Sequence, residues 1–284
     1  MSPSRKIGPR RIRGRTAAGR MRLLDAFLIH AAGRYLCPDP FTGAFDGPFV
    51  DVGFGEEPVT TLETAALLRD ACAARGGGPL MVVGVETDGA RVARAEELAG
   101  ELTRFLHVEF AIAEKLDRPA RLVRAMNVLR QYAPEEVEVA HRIWGEALAE
   151  GACLVEGTCD GDGAVLTAHV LQRRGEGAER LGLLFATDFS RGFSPWLFRD
   201  RLPADLRRSV RSGHPVWTFL ESWERHAAAA REEGARAPAA TFRVAGRAFA
   251  RADEAVICDD VMAQSGLLFW SVTRADLDRR DRRS

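Results

Sequence analysis

Two periods of apolar and polar residues take turns along this chain. Short, largely apolar runs, Phe49–Val52, Val82–Glu86, Arg104–Ile112, Leu122–Met126 and Cys153–Glu156, read as strands. Between them apolar residues return every three or four positions, as on one face of a helix. Leu23, Leu24, Phe27, Leu28 and Ala31 predict a helix within 21–35. Thr60-Thr61-Leu62-Glu63 has the form of a capping box, so a helix is expected from Thr60 toward Arg75, with Leu62, Ala65, Ala66 and Leu68 inward. Asp88 is placed to cap a helix carrying Val92, Ala95, Leu98 and Ala99. Pro134 opens another, with Val137, Ala140, Ile143, Trp144 and Leu148 as its stripe and Gly151 as its stop.

Strands alternating with helices imply an α/β fold with a doubly wound, mostly parallel sheet of Rossmann-like form. Past the fifth strand the alternation changes. Residues 164–171 and 181–189 read as two strands joined by a charged, glycine-containing loop, an antiparallel hairpin at the sheet edge. Residues 195–233 read as mostly helical, broken near Gly213-His214-Pro215, with Phe219, Leu220 and Trp223 as a cover for the cleft. Gly266–Val272 is a late strand. The organisation expected is a basic arm over residues 1–22 followed by a single domain over 23–284.

In such a sheet, ligands bind at the carboxyl ends of the strands. Gly53, Glu86, Asn127 and Glu156 fall there. The first strand ends in Asp51 and the turn Gly53-Phe54-Gly55, and the second in Glu86-Thr87. Small residues where a backbone must approach a ligand, and an acid where ribose hydroxyls lie, are what a nucleotide-like molecule requires. A dinucleotide fingerprint would place a third glycine where this chain has Pro58.

The Asp-x-Gly-x-Gly segment and the strand-terminal Glu86 resemble the first two motifs of class I S-adenosylmethionine-dependent methyltransferases. That resemblance implies S-adenosyl-L-methionine as cofactor. Gly53, Phe54 and Gly55 would line its methionyl part, and Glu86 with Thr87 its ribose. Asp51 would fix the loop or reach the cofactor's amino group, directly or through water. Asn127, at the end of the fourth strand, would hydrogen-bond cofactor or acceptor, and Arg130 would hold an anionic group of the substrate. Met126–Tyr132 does not match the Asn/Asp-Pro-Pro-Tyr motif of enzymes that methylate amino groups. With Val155-Glu156-Gly157-Thr158 included, the pattern is similar to a group of bacterial methylase-like proteins without an assigned acceptor.

Charge changes the picture only locally. The formal net charge is zero, yet the first 22 residues carry eight basic side chains and no acid. Such an arm suits a nucleic acid or another phosphate-bearing partner. No aromatic is interleaved for base stacking, which favours a solvated tail or an arm folded onto an acidic face of the same protein. Five cysteines without a Cys-x-x-Cys pair point to reduced thiols in the cytoplasm. No signal peptide or membrane-spanning run is present. The histidines show no ligand spacing, so no metal is expected. His107 and His169 read as packed or surface residues, and Glu156 as a base at the cleft or a cap for the loop after it. Two other functions stay open: a nicotinamide-dependent oxidoreductase, and a non-catalytic RNA-binding or scaffold protein of the same fold.

Overall fold

Strand formation follows the apolar runs closely. The structure, a computed structural model, describes residues 16–32, 38–208 and 210–278. Among these residues the strands are β1 (Phe49–Val52), β2 (Val82–Glu86), β3 (Thr103–His107), β4 (Ala120–Met126), β5 (Leu148–Cys159), β6 (Val165–Arg174), β7 (Gly177–Thr187), β8 (Val256–Ile257) and β9 (Leu267–Ser271). They form one sheet in the order β3-β2-β1-β4-β5-β6-β7-β9-β8. The pairs from β3 to β5 are parallel, and the 3-2-1-4-5 order is Rossmann-like, with its switch point between β1 and β4. From β5 onward all pairs are antiparallel. The β6–β7 hairpin lies on the expected side, and β9 and β8 extend the antiparallel margin beyond it.

The helices are α1 (Arg22–Phe27), α2 (Val59–Ala74), α3 (Gly89–Glu96), α4 (Pro134–Glu146), α5 (Ala204–Arg207), α6 (Pro215–Glu232), α7 (Pro238–Ala252), α8 (Asp260–Gln264) and α9 (Arg274–Asp278). Leu24 and Phe27 of α1 and Ala65 and Leu68 of α2 pack with Phe49 and Leu122 on one face of the sheet. Val137, Ala140 and Trp144 of α4 pack with Val50, Val83 and Val123 on the other. The inner strands β1, β2 and β4 are thus covered on both sides, which is why they read as largely apolar, whereas edge strand β3 leaves Arg104 and His107 exposed.

Four local expectations are corrected. The cap residue of α2 is Pro58 rather than Thr60. Of the two side chains a capping box needs, that of Glu63 is engaged elsewhere: its Oε2 accepts from Gly19 N at 2.8 Å. Leu148 belongs to β5, not α4. Gly151, with φ +78°, lies in a β5 bulge, where Ala120 faces Leu148 but Leu122 faces Cys153. In 195–233 a 3-10 turn (Pro195–Arg201), α5 and α6 form, and α7 follows where no element is expected. Its signal was Phe242, Ala245 and Phe249 at helical spacing after Pro238.

The fourth correction concerns Phe219, Leu220 and Trp223, which do not cover the cleft. They are buried with Phe185, Phe198 and Phe242 in a separate apolar cluster against the antiparallel strands. Phe185 stacks on Phe219 at 5.2 Å and Phe198 on Trp223 at 5.4 Å between ring centroids. Burying large aromatic surface outweighs any use of these rings at an open cleft.

Residues 16–22 of the basic arm are docked on the body. Arg20 Nε donates to the Asp160 carbonyl and Arg22 Nη1 to the Asp162 carbonyl, each at 3.0 Å, and Arg22 also pairs with Asp188. The remainder of the arm, residues 1–15, lies outside the described residues. No helix among the described residues is long and apolar enough to cross a membrane.

Candidate functional site

At the carboxyl end of β1 the backbone turns through Gly53 (φ +74°) and Gly55 (φ +89°) before α2 begins. Both lie in the left-handed region, which glycine enters without steric penalty. The loop is held from beneath by a buried ion cluster. Arg124 Nε donates to Asp51 Oδ1 at 2.8 Å, and Nη2 to Asp51 Oδ2 at 2.6 Å. Arg124 Nη1 donates to Thr64 Oγ1 at 2.6 Å and reaches Asp25 Oδ1 at 3.4 Å. Burial raises the Asp25 carboxyl to about 6 against the pull of Arg124 and Thr64. The cluster ties β1, β4, α1 and α2 together. Both oxygens of Asp51 are therefore engaged with Thr61 and Arg124.

A cavity of about 330 Å³ opens beside this loop, lined among others by Asp51, Gly53, Phe54, Gly55, Asn127 and Arg130. Residues the sequence reading did not single out also face it: Thr16, Arg20, Thr60, Arg124, Gln131 and Arg207. Arg124 had a signal, as the lone charge in the apolar run Leu122–Met126. Arg20 and Arg207 had none, because distant segments bring them in. A narrower slot of about 20 Å³, lined mainly by Val52, Val85, Val108, Phe110, Ile112 and Val128, contains Glu86 and Thr87. Val52 and Gly53 line both spaces.

Glu86 is 2% exposed. Its Oε1 accepts from Thr87 N at 2.8 Å and Thr87 Oγ1 at 3.1 Å, and its Oε2 accepts from Gly55 N at 3.1 Å. Arg91 Nη1 lies 3.5 Å from the same Oε2. The acid ending β2 thus reaches the glycine loop across the junction of cavity and slot.

Asn127 has φ +62°, a left-handed conformation that asparagine tolerates better than most residues. Its Oδ1 accepts from Cys159 N at 3.1 Å and its Nδ2 lies 3.0 Å from Cys159 Sγ. The side chain is tied to the end of β5. Arg130 is exposed and reaches the cavity from the short turn Leu129–Gln131. Arg207 Nη2 donates to the Arg130 carbonyl at 3.3 Å.

Glu156 is the site candidate that the structure removes from the cleft. It lies 1% exposed on the α4 side of the sheet, 3.3 Å from His141 Nε2. Burial pushes its carboxyl up to about 8 and the His141 imidazole down to about 4. Next to it, His169 Nε2 meets Asp205 Oδ1 at 2.8 Å, and Arg180 Nη2 donates to Asp205 Oδ2 at 2.9 Å. His169 is thus a packed histidine. His107 Nε2 meets the Thr87 carbonyl at 3.0 Å.

No protein-family model and no curated protein matches this sequence. Solved structures align over parts of it. Magnesium protoporphyrin IX methyltransferase from Synechocystis, with bound SAM, is 16% identical over 58% of this chain and 76% of its own, with a TM-score of 0.34. The CcbJ methyltransferase from Streptomyces caelestis is 19% identical over 60% of this chain and 79% of its own, with a TM-score of 0.33. A putative protein-L-isoaspartate O-methyltransferase from Plasmodium falciparum, in complex with S-adenosyl-L-homocysteine, is 12% identical over 61% of this chain and 75% of its own, with a TM-score of 0.33. At these values the likeness is one of general α/β architecture.

Proposed function

We propose that the protein is an S-adenosylmethionine-dependent methyltransferase. The observation that carries this reading is the pairing of the Gly53–Gly55 turn with Glu86 at the ends of neighbouring strands, one at a polar cavity and the other at an apolar slot. The residues fit the cofactor. The slot offers Val85, Val108 and Ile112 to a flat base, and Glu86 would exchange its bonds to Thr87 and Gly55 for bonds to ribose hydroxyls. The glycine turn leaves room for the methionyl chain, and the cavity's arginines face an anionic end. When bound, the cofactor supplies a methyl group made electrophilic by its positive sulfur. The chain's own part is to hold the two reactants in line and keep water out.

A nicotinamide dinucleotide fits less well, because Pro58 stands where its third glycine belongs. A cytoplasmic location accompanies the methyltransferase reading. Cys72, Cys153, Cys159 and Cys258 are buried and outside any disulfide, the state a reducing compartment maintains.

Thermal unfolding with S-adenosylmethionine, S-adenosylhomocysteine, NADH and NADPH tests the assignment. At a hundredfold excess over the dissociation constant, a specific ligand adds about 2.7 kcal/mol of stability. Stabilisation by the two sulfur compounds alone is expected. Stabilisation by the nicotinamides alone makes the protein an oxidoreductase, and no shift with any of the four removes the cofactor assignment.

A further inference from the structure

We propose that Asp205 is a positioning residue for the cofactor site: gripped by His169 and Arg180, it holds the short helix α5 so that Arg207 meets the cofactor's carboxylate. This rests on the methyltransferase reading above and adds what sets one of its binding groups in place.

Helix α5 spans only Ala204–Arg207. A single turn has no stability of its own, so contacts with the rest of the protein decide where it lies. Ala204 and Leu206 are buried in two different apolar clusters. Such contacts set the depth of the helix but carry no direction. Direction comes from Asp205. His169 Nε2 meets Asp205 Oδ1 at 2.8 Å, and Arg180 Nη2 donates to Asp205 Oδ2 at 2.9 Å. His169 is fully buried on β6 and Arg180 lies on β7, strands paired with one another inside the sheet. Burial pulls the Asp205 carboxyl upward, but His169 and Arg180 outweigh it and hold the group below the usual carboxylate range. An ionised carboxylate held at both oxygens leaves the helix little freedom to turn.

Arg207, at the end of the same turn, lines the cavity beside Gly53 and Gly55. Its Nη2 donates to the Arg130 carbonyl at 3.3 Å, in the short turn that follows β4. One residue of α5 therefore grips the antiparallel half of the sheet while another serves the cavity at the carboxyl ends of the parallel strands. A guanidinium binds a carboxylate through two parallel donors only when its plane is correctly turned. Flexible side chains reach that orientation at an entropic cost, which an anchored backbone lowers.

The test is calorimetric titration of the full-length protein with S-adenosylhomocysteine and with its decarboxylated analogue, which keeps the adenosine, sulfur and ammonium groups. Arg207→Ala should weaken the first about tenfold and leave the second within about twofold. Asp205→Asn, of the same shape, should weaken the first about three- to fivefold and again spare the second. In Arg207→Ala/Asp205→Asn the loss should match that of Arg207→Ala alone, because Asp205 acts through Arg207. Arg180→Gln, which leaves the bond from His169 to Asp205 in place, should show a selective loss of the same sign. It carries the test if Asp205→Asn does not fold. Equal weakening of the two ligands makes Asp205 a general support of the fold and overturns the proposal. Losses that add in the double variant overturn it too, as does native affinity for S-adenosylhomocysteine in Arg207→Ala, in Asp205→Asn or in Arg180→Gln. Failure of the unaltered protein to bind S-adenosylhomocysteine overturns the methyltransferase reading itself, before any variant is made.

Discussion

Arg124 and Asp51 are direct partners across the parallel strands β4 and β1, and the guanidinium meets the carboxylate through two hydrogen bonds of 2.8 and 2.6 Å. Arg124 is 1% exposed. Replacing it with Met leaves Asp51 buried without its countercharge, a loss of about 3–5 kcal/mol for a broken buried pair. Urea unfolding of Arg124→Met at neutral pH checks this, and a change below about 1 kcal/mol would show the pair to be dispensable.

Asp25 belongs to the same cluster but responds to pH with its own sign. Burial raises its carboxyl from 3.8 to about 6, so the folded state binds the proton more tightly than the unfolded chain. The associated stability is present at acid pH and lost as pH rises through 6. Asp25→Asn removes that loss and should gain on the native sequence between pH 4 and 7, by up to about 3 kcal/mol. Unfolding midpoints at the two pH values measure the difference, and a constant gap between the proteins contradicts it.

Glu156 and His141 act in opposite directions. Burial raises Glu156 from 4.5 to about 8, so its contribution is lost as pH climbs through 8. Burial lowers His141 from 6.5 to about 4, so its contribution is present above 6.5 and lost as pH falls through 4. Between 4.5 and 6.5 the two slopes offset one another. In Glu156→Gln the His141 slope should stand alone, with stability rising over that range and the decline toward pH 8 reduced. An unchanged pH profile in the variant refutes this.

For the proposed cofactor, Glu86→Gln keeps the shape of the side chain but removes its charge. Affinity for S-adenosylhomocysteine should fall about tenfold with only a small change in stability. Gly55→Ala should also weaken binding. Its φ is +89°, and the added carbon would lie 2.8 Å from Thr16 Oγ1. Calorimetric titration reads both variants, and native affinity in the two together sinks the assigned pocket.

Gly163 supports the same region from outside. A side chain there would meet the Arg20 carbonyl oxygen at 2.0 Å, and its φ of +75° already disfavours one. Gly163→Ala should loosen the docked residues 16–22 and hasten tryptic cleavage after Arg20 and Arg22, at a cost of about 1–3 kcal/mol. Native cleavage rates at those bonds would show that the contact does not hold the segment.

The inner parallel strands were legible because β1, β2 and β4 are covered on both faces and so are largely apolar. Gly53, Gly55 and Glu86 were legible because strand ends and glycine turns are local features. Glu156 was not, since strand alternation alone does not say which face of β5 meets the cavity. The aromatic residues of α6 misled for a similar reason: an amphipathic helix shows that it packs, without showing against what. Arg20 and Arg207 lie 187 positions apart and share a wall only through the tertiary fold.

The bond from Gly55 N to Glu86 Oε2 spans the place where a ligand filling both slot and cavity must pass. Entry of such a ligand exchanges this bond for bonds of the ligand's own. The observed dissociation constant is then the intrinsic one divided by the fraction of molecules in which the junction is open. Association acquires a conformational step, and its rate should level off as ligand concentration rises.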